Sequence, residues 1–185
     1  MRKGLDGRTI FSIFLFVACI GVLIYWFVTR PTPQEKAITG FFDYIRLGNA
    51  EEAGKYLVNS SFGDFLFDSE ITDSDGKSLK EGLKLDKGTL ENLARDNIPY
   101  ARGRVFKFVA RHLQTQKSES DPTIAFVQFE YSFDIKEALD RPGNPGTIKG
   151  AIECRLVNGK WLLKRGDMKI SIVGITLRRY WEDIE

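Results

Sequence analysis

From Ile10 to Val28 the chain reads IFSIFLFVACIGVLIYWFV, nineteen residues without a charged side chain. As a helix such a run spans roughly 28 Å, close to the ~30 Å hydrocarbon core of a bilayer. Arg2, Lys3 and Arg8 precede it, whereas Arg30 alone follows closely before Pro31-Thr32-Pro33. The charge excess predicts a cytoplasmic tail over residues 1–9, a transmembrane helix over 10–28 and an extracytoplasmic remainder. A cleaved signal peptide has an apolar stretch of only ~7–15 residues and a small-residue cleavage site. This run instead ends Tyr25-Trp26-Phe27-Val28, a pattern suited to the aromatic belt at a membrane surface. A lipoprotein signal at Cys19 fits poorly, because the apolar run continues nine residues beyond it. The expectation is a permanent single-pass anchor.

The passenger is balanced in charge. The chain holds 27 basic and 25 acidic residues, and residues 30–185 contain 24 of each. No net basic field marks it for nucleic acid or for a lipid headgroup surface. About 150 residues suffice for one domain with its own core. Cys19 lies in the apolar run and Cys154 in an expected strand, so no intrachain disulfide follows from them. Cys154 reads as a small buried hydrophobe.

Pro31 and Pro33 make residues 29–34 a short stiff linker, and the folded domain is expected over 35–172. Ala37, Phe41, Tyr44, Ile45 and Leu47 predict a helix that Gly48-Asn49 ends. Asn49 then caps a second helix carrying Ala50, Ala53, Tyr56 and Leu57. Phe62 to Ile71 reads as a short strand or packed turn, followed by an exposed loop at Thr72-Asp73-Ser74-Asp75-Gly76. A third helix is expected over Lys87 to Asn97, with Leu90, Leu93 and Ala94 inward.

The period then changes to two. Arg102 to Gln116 alternates Val105, Val109 and Leu113 against Phe106, Phe108 and Ala110. Thr123 to Ile135 sends Ala125, Val127, Phe129, Tyr131, Phe133 and Ile135 one way and Gln128, Glu130, Ser132 and Asp134 the other. After a loop at Arg141 to Gly146, Thr147 to Val157 places Ile148, Ile152, Cys154 and Leu156 inside. Asn158-Gly159 predicts a type I′ turn pairing that strand antiparallel with Lys160 to Ile172. The fold class is therefore α+β: helices packed on a curved, mainly antiparallel sheet, behind an N-terminal transmembrane helix. Residues 173–185 form a C-terminal extension or closing element.

Phe41-Phe42-Asp43-Tyr44-Ile45-Arg46-Leu47-Gly48-Asn49-Ala50-Glu51-Glu52-Ala53-Gly54-Lys55-Tyr56-Leu57 and Val157-Asn158-Gly159-Lys160-Trp161-Leu162-Leu163 resemble the nuclear-transport-factor-2-like superfamily, also called the cystatin-like α+β cone. The first stretch is similar to the helix, small-residue break and helix that open such domains, and the second to a hairpin ending Gly-Lys-Trp. The resemblance covers roughly residues 35–172. It implies a membrane-anchored member of a bacterial subgroup with one N-terminal span. The superfamily includes isomerases, dehydratases, binding pockets and assembly scaffolds, so the likeness leaves the function open.

The residues offer little chemistry. His112 is the only histidine, and no second histidine, cysteine or spaced carboxylate accompanies it. Asp73-Ser74-Asp75-Gly76 fails as a calcium loop, because Ile71 and Gly82 fall where the first and last ligands belong. Glu130 and Asp134 share a strand face that reads as solvated. If a pocket exists, Tyr44, Tyr131 and Trp161 are its candidate lining. Arg178, Arg179, Tyr180 and Trp181 combine aromatics with arginine as partner contacts do, though an edge strand or closing helix of the same domain also explains them and is the favoured reading. No catalytic residue, metal or cofactor is called for, and the expected class is not an enzyme. The expected function is a protein-binding or scaffold domain of an envelope-associated assembly, partnered by other envelope proteins or by itself. Alternatives are a small-molecule pocket that senses or carries, and an isomerase or hydrolase.

Overall fold

A proline opens the first helix of the folded unit, inside the stretch expected to be linker. The computed structural model describes residues 30–78, 85–136 and 144–172. The chain divides into two units, Met1–Thr32 and Pro33–Glu185, and the elements named here belong to the second. The expected transmembrane helix at 10–28 and the candidate contacts Arg178, Arg179, Tyr180 and Trp181 lie outside the described residues. Among the described residues no helix is long and apolar enough to cross a membrane.

Helix α1 runs Pro33–Arg46, and Pro33 is tolerated there because first-turn amides have no intrahelical acceptor. It buries Ala37, Ile38, Phe41 and Phe42 at spacings of one, three and four. Gly48 at φ +71° ends it: Asn49 N–H reaches back to Tyr44 O and Gly48 N–H to Ile45 O. Leu47, expected on the apolar side, falls past the helix end and is exposed. Asn49 caps α2 (Ala50–Gly54) by accepting from Glu52 N–H at 3.1 Å. The second helix is shorter than expected. Leu57 turns extended to make a parallel bridge with Leu163, whose N–H donates to Tyr56 O at 2.8 Å.

Phe62 to Asp68, expected as a strand or turn, is a helix, α3 (Phe62–Asp68). Phe62 and Phe65 bury one face at helical spacing, and Ser61 Oγ caps it by accepting from Asp64 N–H. Then come β1 (Glu70–Thr72) and an Asp73 turn in which Asp73 Oδ1 accepts from the N–H groups of Asp75 and Lys77. Helix α4 (Lys87–Asn97) has the expected bounds, with Leu90, Leu93 and Ala94 half-buried. Glu91 ties it to α3 by accepting from Gly63 N–H at 2.7 Å and from Ser61 Oγ.

Four long strands follow: β2 (Val105–Lys117), β3 (Ile124–Ile135), β4 (Asn144–Val157) and β5 (Lys160–Ile172). The order across the sheet is β1-β5-β4-β3-β2; β1 pairs parallel with β5, and the other pairs are antiparallel. The sheet is thus mixed, with a short fifth strand, β1, at the end of the stretch expected as a short strand or packed turn. Asn158 (φ 51°) and Gly159 (φ 77°) form the β4–β5 turn with both residues left-handed, as a type I′ turn requires. Strand β4 begins at Asn144, inside the expected loop.

Strand β3 obeys its alternation: Ala125, Val127, Phe129, Tyr131 and Phe133 are buried. Strand β2 does not. Two register shifts, between Phe106 and Val109 and between Ala110 and His112, reset its period, so Phe108 packs on the core and Val109 is 56% exposed. Leu156, expected inside, is also exposed.

Candidate functional site

Among the described residues, one face of the sheet is covered by helices and the other is open, and the chemistry differs between them. On the covered face Phe42 stands among Phe108, Phe129 and Tyr131 with ring centroids 5.1–5.9 Å apart, and Phe41 packs on Phe65 at 5.6 Å. Tyr131 is stacked on Phe108 at 4.5 Å, and its hydroxyl donates to Thr39 Oγ1 at 3.2 Å. Burial pushes its phenol above the ordinary value, against the pull of that hydrogen bond.

The three candidate pocket residues sit in separate surroundings. Tyr131 is in this aromatic core, whereas half-buried Tyr44 pairs with Tyr56 at 6.0 Å. Tyr56 fills the notch at Gly40, where a Cβ would stand 2.5 Å from its ring. Trp161 packs on the core from the β4–β5 hairpin. Cys154 is fully buried, and loss of water pushes its thiol up to about 12, so it stays protonated. Among the described residues no group of three or more His, Cys, Asp and Glu side chains is placed to hold a metal ion.

The open face is ordered by the strand register into rows. His112 stands opposite Glu130, Glu130 opposite Lys149, and Lys149 opposite Lys169. In the next row Gln114, Gln128, Ala151 and Asp167 lie side by side. These two rows line a groove of about 850 Å³. On one side a row of Val109, Ser132, Thr147 and Ser171 lines a second groove of about 520 Å³. On the other, Phe126, Glu153 and Arg165 border a third of about 290 Å³.

Glu153 is the buried charge of this face, 5% exposed, with Arg155 Nε and Arg165 Nε each donating at 2.8 Å. Burial raises its carboxyl, and the two guanidiniums more than offset this, holding it below the ordinary range. Lys164, the extra residue where the β4–β5 register shifts, reaches Asp68 Oδ2 at 2.5 Å and holds that carboxyl low. The central rows have no such partners. Among the described residues, the side chains of His112, Gln114, Gln128, Glu130, Lys149, Asp167 and Lys169 have no hydrogen-bond or ion-pair partner. Lys149 and Lys169, like charges directly opposed, repel each other.

Sequence reasoning saw half of this face. It placed Gln128, Glu130, Ser132 and Asp134 together, but not Lys149 against Lys169. Counting back from the Asn158-Gly159 turn pairs Lys149 with Met168, and only the extra residue at Lys164 brings Lys169 opposite.

The fold and its two faces define an α+β protein with helices on one side of a curved mixed sheet. No family model matches this sequence, nor does any curated protein. Solved structures similar to the chain carry cystatin-like and nuclear-transport-factor-2-like descriptions. One is a cystatin-like-fold protein from Nostoc punctiforme, 15% identical over 77% of this chain and 90% of its own, with a TM-score of 0.47. A ketosteroid isomerase-like protein from Erwinia carotovora atroseptica is 12% identical over 77% of this chain and 95% of its own, at 0.46. A nuclear-transport-factor-2-like protein from Shewanella oneidensis is 14% identical over 72% and 93%, at 0.41. The likeness is in chain path and carries no activity across.

Proposed function

We propose that the chain is a single-pass membrane protein whose extracytoplasmic domain binds other envelope proteins, using the open face of its sheet. The observation that carries this reading is the contrast between the two faces: seven polar side chains stand unbonded in the central rows, while aromatic rings fill the other side. Polar groups arrayed without internal partners are available to a protein surface at little desolvation cost beyond that of the partner's own groups. The apolar run at 10–28 supports a tether, which would hold the domain within reach of membrane neighbours and raise its effective concentration there. A pocket or isomerase reading needs space beside Tyr131, where three rings already stand within 5.9 Å.

Two measurements on full-length protein test this. Glu119→Cys, at the exposed β2–β3 connection, should react with a membrane-impermeant maleimide in intact cells above the signal of the parent chain, whose own cysteines are buried Cys154 and Cys19 in the apolar run. Labelling only after the membrane is opened to the cytoplasmic side would overturn the topology. A photo-reactive amino acid at Gln128 should yield adducts with other membrane proteins, and one at exposed Asn92 on α4 should not. Equal yields at both positions would refute use of the sheet face.

A further inference from the structure

Among the described α-helices, α4 alone contributes no buried side chain. At eleven residues it is shorter than the ~12–15 an isolated helix needs, so its stability comes from docking. Leu90, Leu93 and Ala94 are only half-buried, and Ala94 packs against the edge of the core. What the helix covers is apolar. The Arg95 guanidinium stands over the Phe62 ring at 5.7 Å, and Phe62, 2% exposed, leads inward to Phe41 and Phe65.

The docking is polar and converges on one carboxylate. Glu91 Oε2 accepts from Gly63 N–H at 2.7 Å and from Ser61 Oγ at 3.3 Å, and Arg95 Nε donates to Glu91 Oε1 at 2.6 Å. Gly63 N–H is a first-turn amide of α3 with no intrahelical acceptor, so Glu91 caps α3 from another helix. The approach requires glycine there, because a Cβ on Gly63 would stand 2.2 Å from Lys87 O. The second tie, Lys87 Nζ to Asp64 Oδ1 at 2.7 Å, joins side chains 50% and 28% exposed and is weak. At its other end α4 runs into the 3-10 turn Ile98–Ala101, where Ile98 is buried and Pro99 O lies against Gly48. One end of the helix is thus anchored in the core, and the rest is tied down through Glu91.

We propose that α4 is a hinged cover that swings out about Ile98 while the sheet stays folded, and that Glu91 is the latch holding it closed. Local openings of this kind lie below global unfolding in free energy where few side chains are buried. The open form bares Phe62 together with the Ala94 side of α4, an apolar surface that the closed form hides. The device lies on the helical side of the sheet and stands without the tether and without the partner reading of the open face.

Hydrogen exchange and thiol labelling of the full-length protein in detergent test it. In the parent chain the amides of α4 should exchange about ten-fold or more faster than those of β3. Ala94→Cys places a thiol beneath the cover, and its maleimide labelling, read by mass spectrometry on its own peptide, reports opening. Adding Glu91→Ala removes the latch without lowering helix propensity, and should raise that rate about ten-fold or more while exchange in β3 is unchanged. Lys87→Gln, which cuts only the exposed tie, should change the rate by less than about two-fold. Three results would each overturn the proposal. They are α4 amides as slow as those of β3 in the parent chain, a labelling rate that Glu91→Ala leaves unchanged, and a rise matched by an equal rise in β3 exchange, since α4 would then open only with the whole domain. The first needs no substituted chain and decides alone.

Discussion

The two faces of one sheet are built by opposite rules. On the covered face, alternate residues of β3 meet α1 in a continuous aromatic contact, and the buried polar groups bond locally: Tyr131 to Thr39, and Glu35 to Thr115 on β2. On the open face the bonded groups are at the margin, where Glu153 holds two arginines, and the middle is left unbonded. Stability is concentrated on one side of the sheet, and the other can vary its side chains without unfolding the domain. That division predicts a gradient of mutational cost from the aromatic core, through the Glu153 margin, to the central groove.

The steepest expected loss is Phe42→Ala. Its ring meets Phe41, Phe108, Phe129 and Tyr131, so truncation leaves a cavity that rigid neighbours cannot fill, at about 3–5 kcal/mol in denaturant unfolding. A cost below about 1 kcal/mol would mean that α1 does not close this face.

At the margin, Glu153→Gln should cost about 1–2 kcal/mol near neutral pH, discounted because the two guanidiniums are 47% and 59% exposed. The effect should depend on pH in a definite direction. Glu153 has a folded-state pKa below its unfolded value, so its stabilisation is complete above the unfolded value near about 4.3 and is lost as pH falls through the lower folded value. Glu91 and Asp68 are lowered too: for Glu91, burial is outweighed by Gly63 N–H, Arg95 and Ser61; for Asp68, the Lys164 hydrogen bond leads. Acid titration of unfolding free energy should show wild type and Glu153→Gln converging below that range. A constant gap down to the acid limit would show that packing, not charge, is what Glu153 supplies.

Tyr131→Phe removes one hydrogen bond from the core while keeping its rings, so about 0.5–1.5 kcal/mol is expected. A larger loss would mean that Thr39, left without its donor, is more tightly enclosed than its half-buried position implies.

How much of this division the sequence carries depends on how local each signal is. The β4–β5 hairpin is legible because Asn158 and Gly159 alone can hold its turn, and β3 because one buried face enforces strict alternation. Strand β1 stays undecided between a short strand and a turn, because its three residues pair with Asp167–Lys169 almost a hundred positions later and nothing in Glu70-Ile71-Thr72 announces that partner. Helix α3 is lost for another reason: Phe62, Phe65, Leu66 and Phe67 fit a short apolar strand as well as a helix, and the Ser61 cap decides between them. On the open face, shifts in β2 and at Lys164 move side chains by one register step, which residue counting does not register.

The mildest substitution tests the open face most directly. Gln128→Ala removes a side chain that bonds to nothing and stands between Gln114 and Ala151, so the unfolding free energy should change by no more than about 0.5 kcal/mol. A loss above about 1 kcal/mol would mean that the side chains of this face pack as firmly as those beneath α1. The sheet would then have two interiors rather than one.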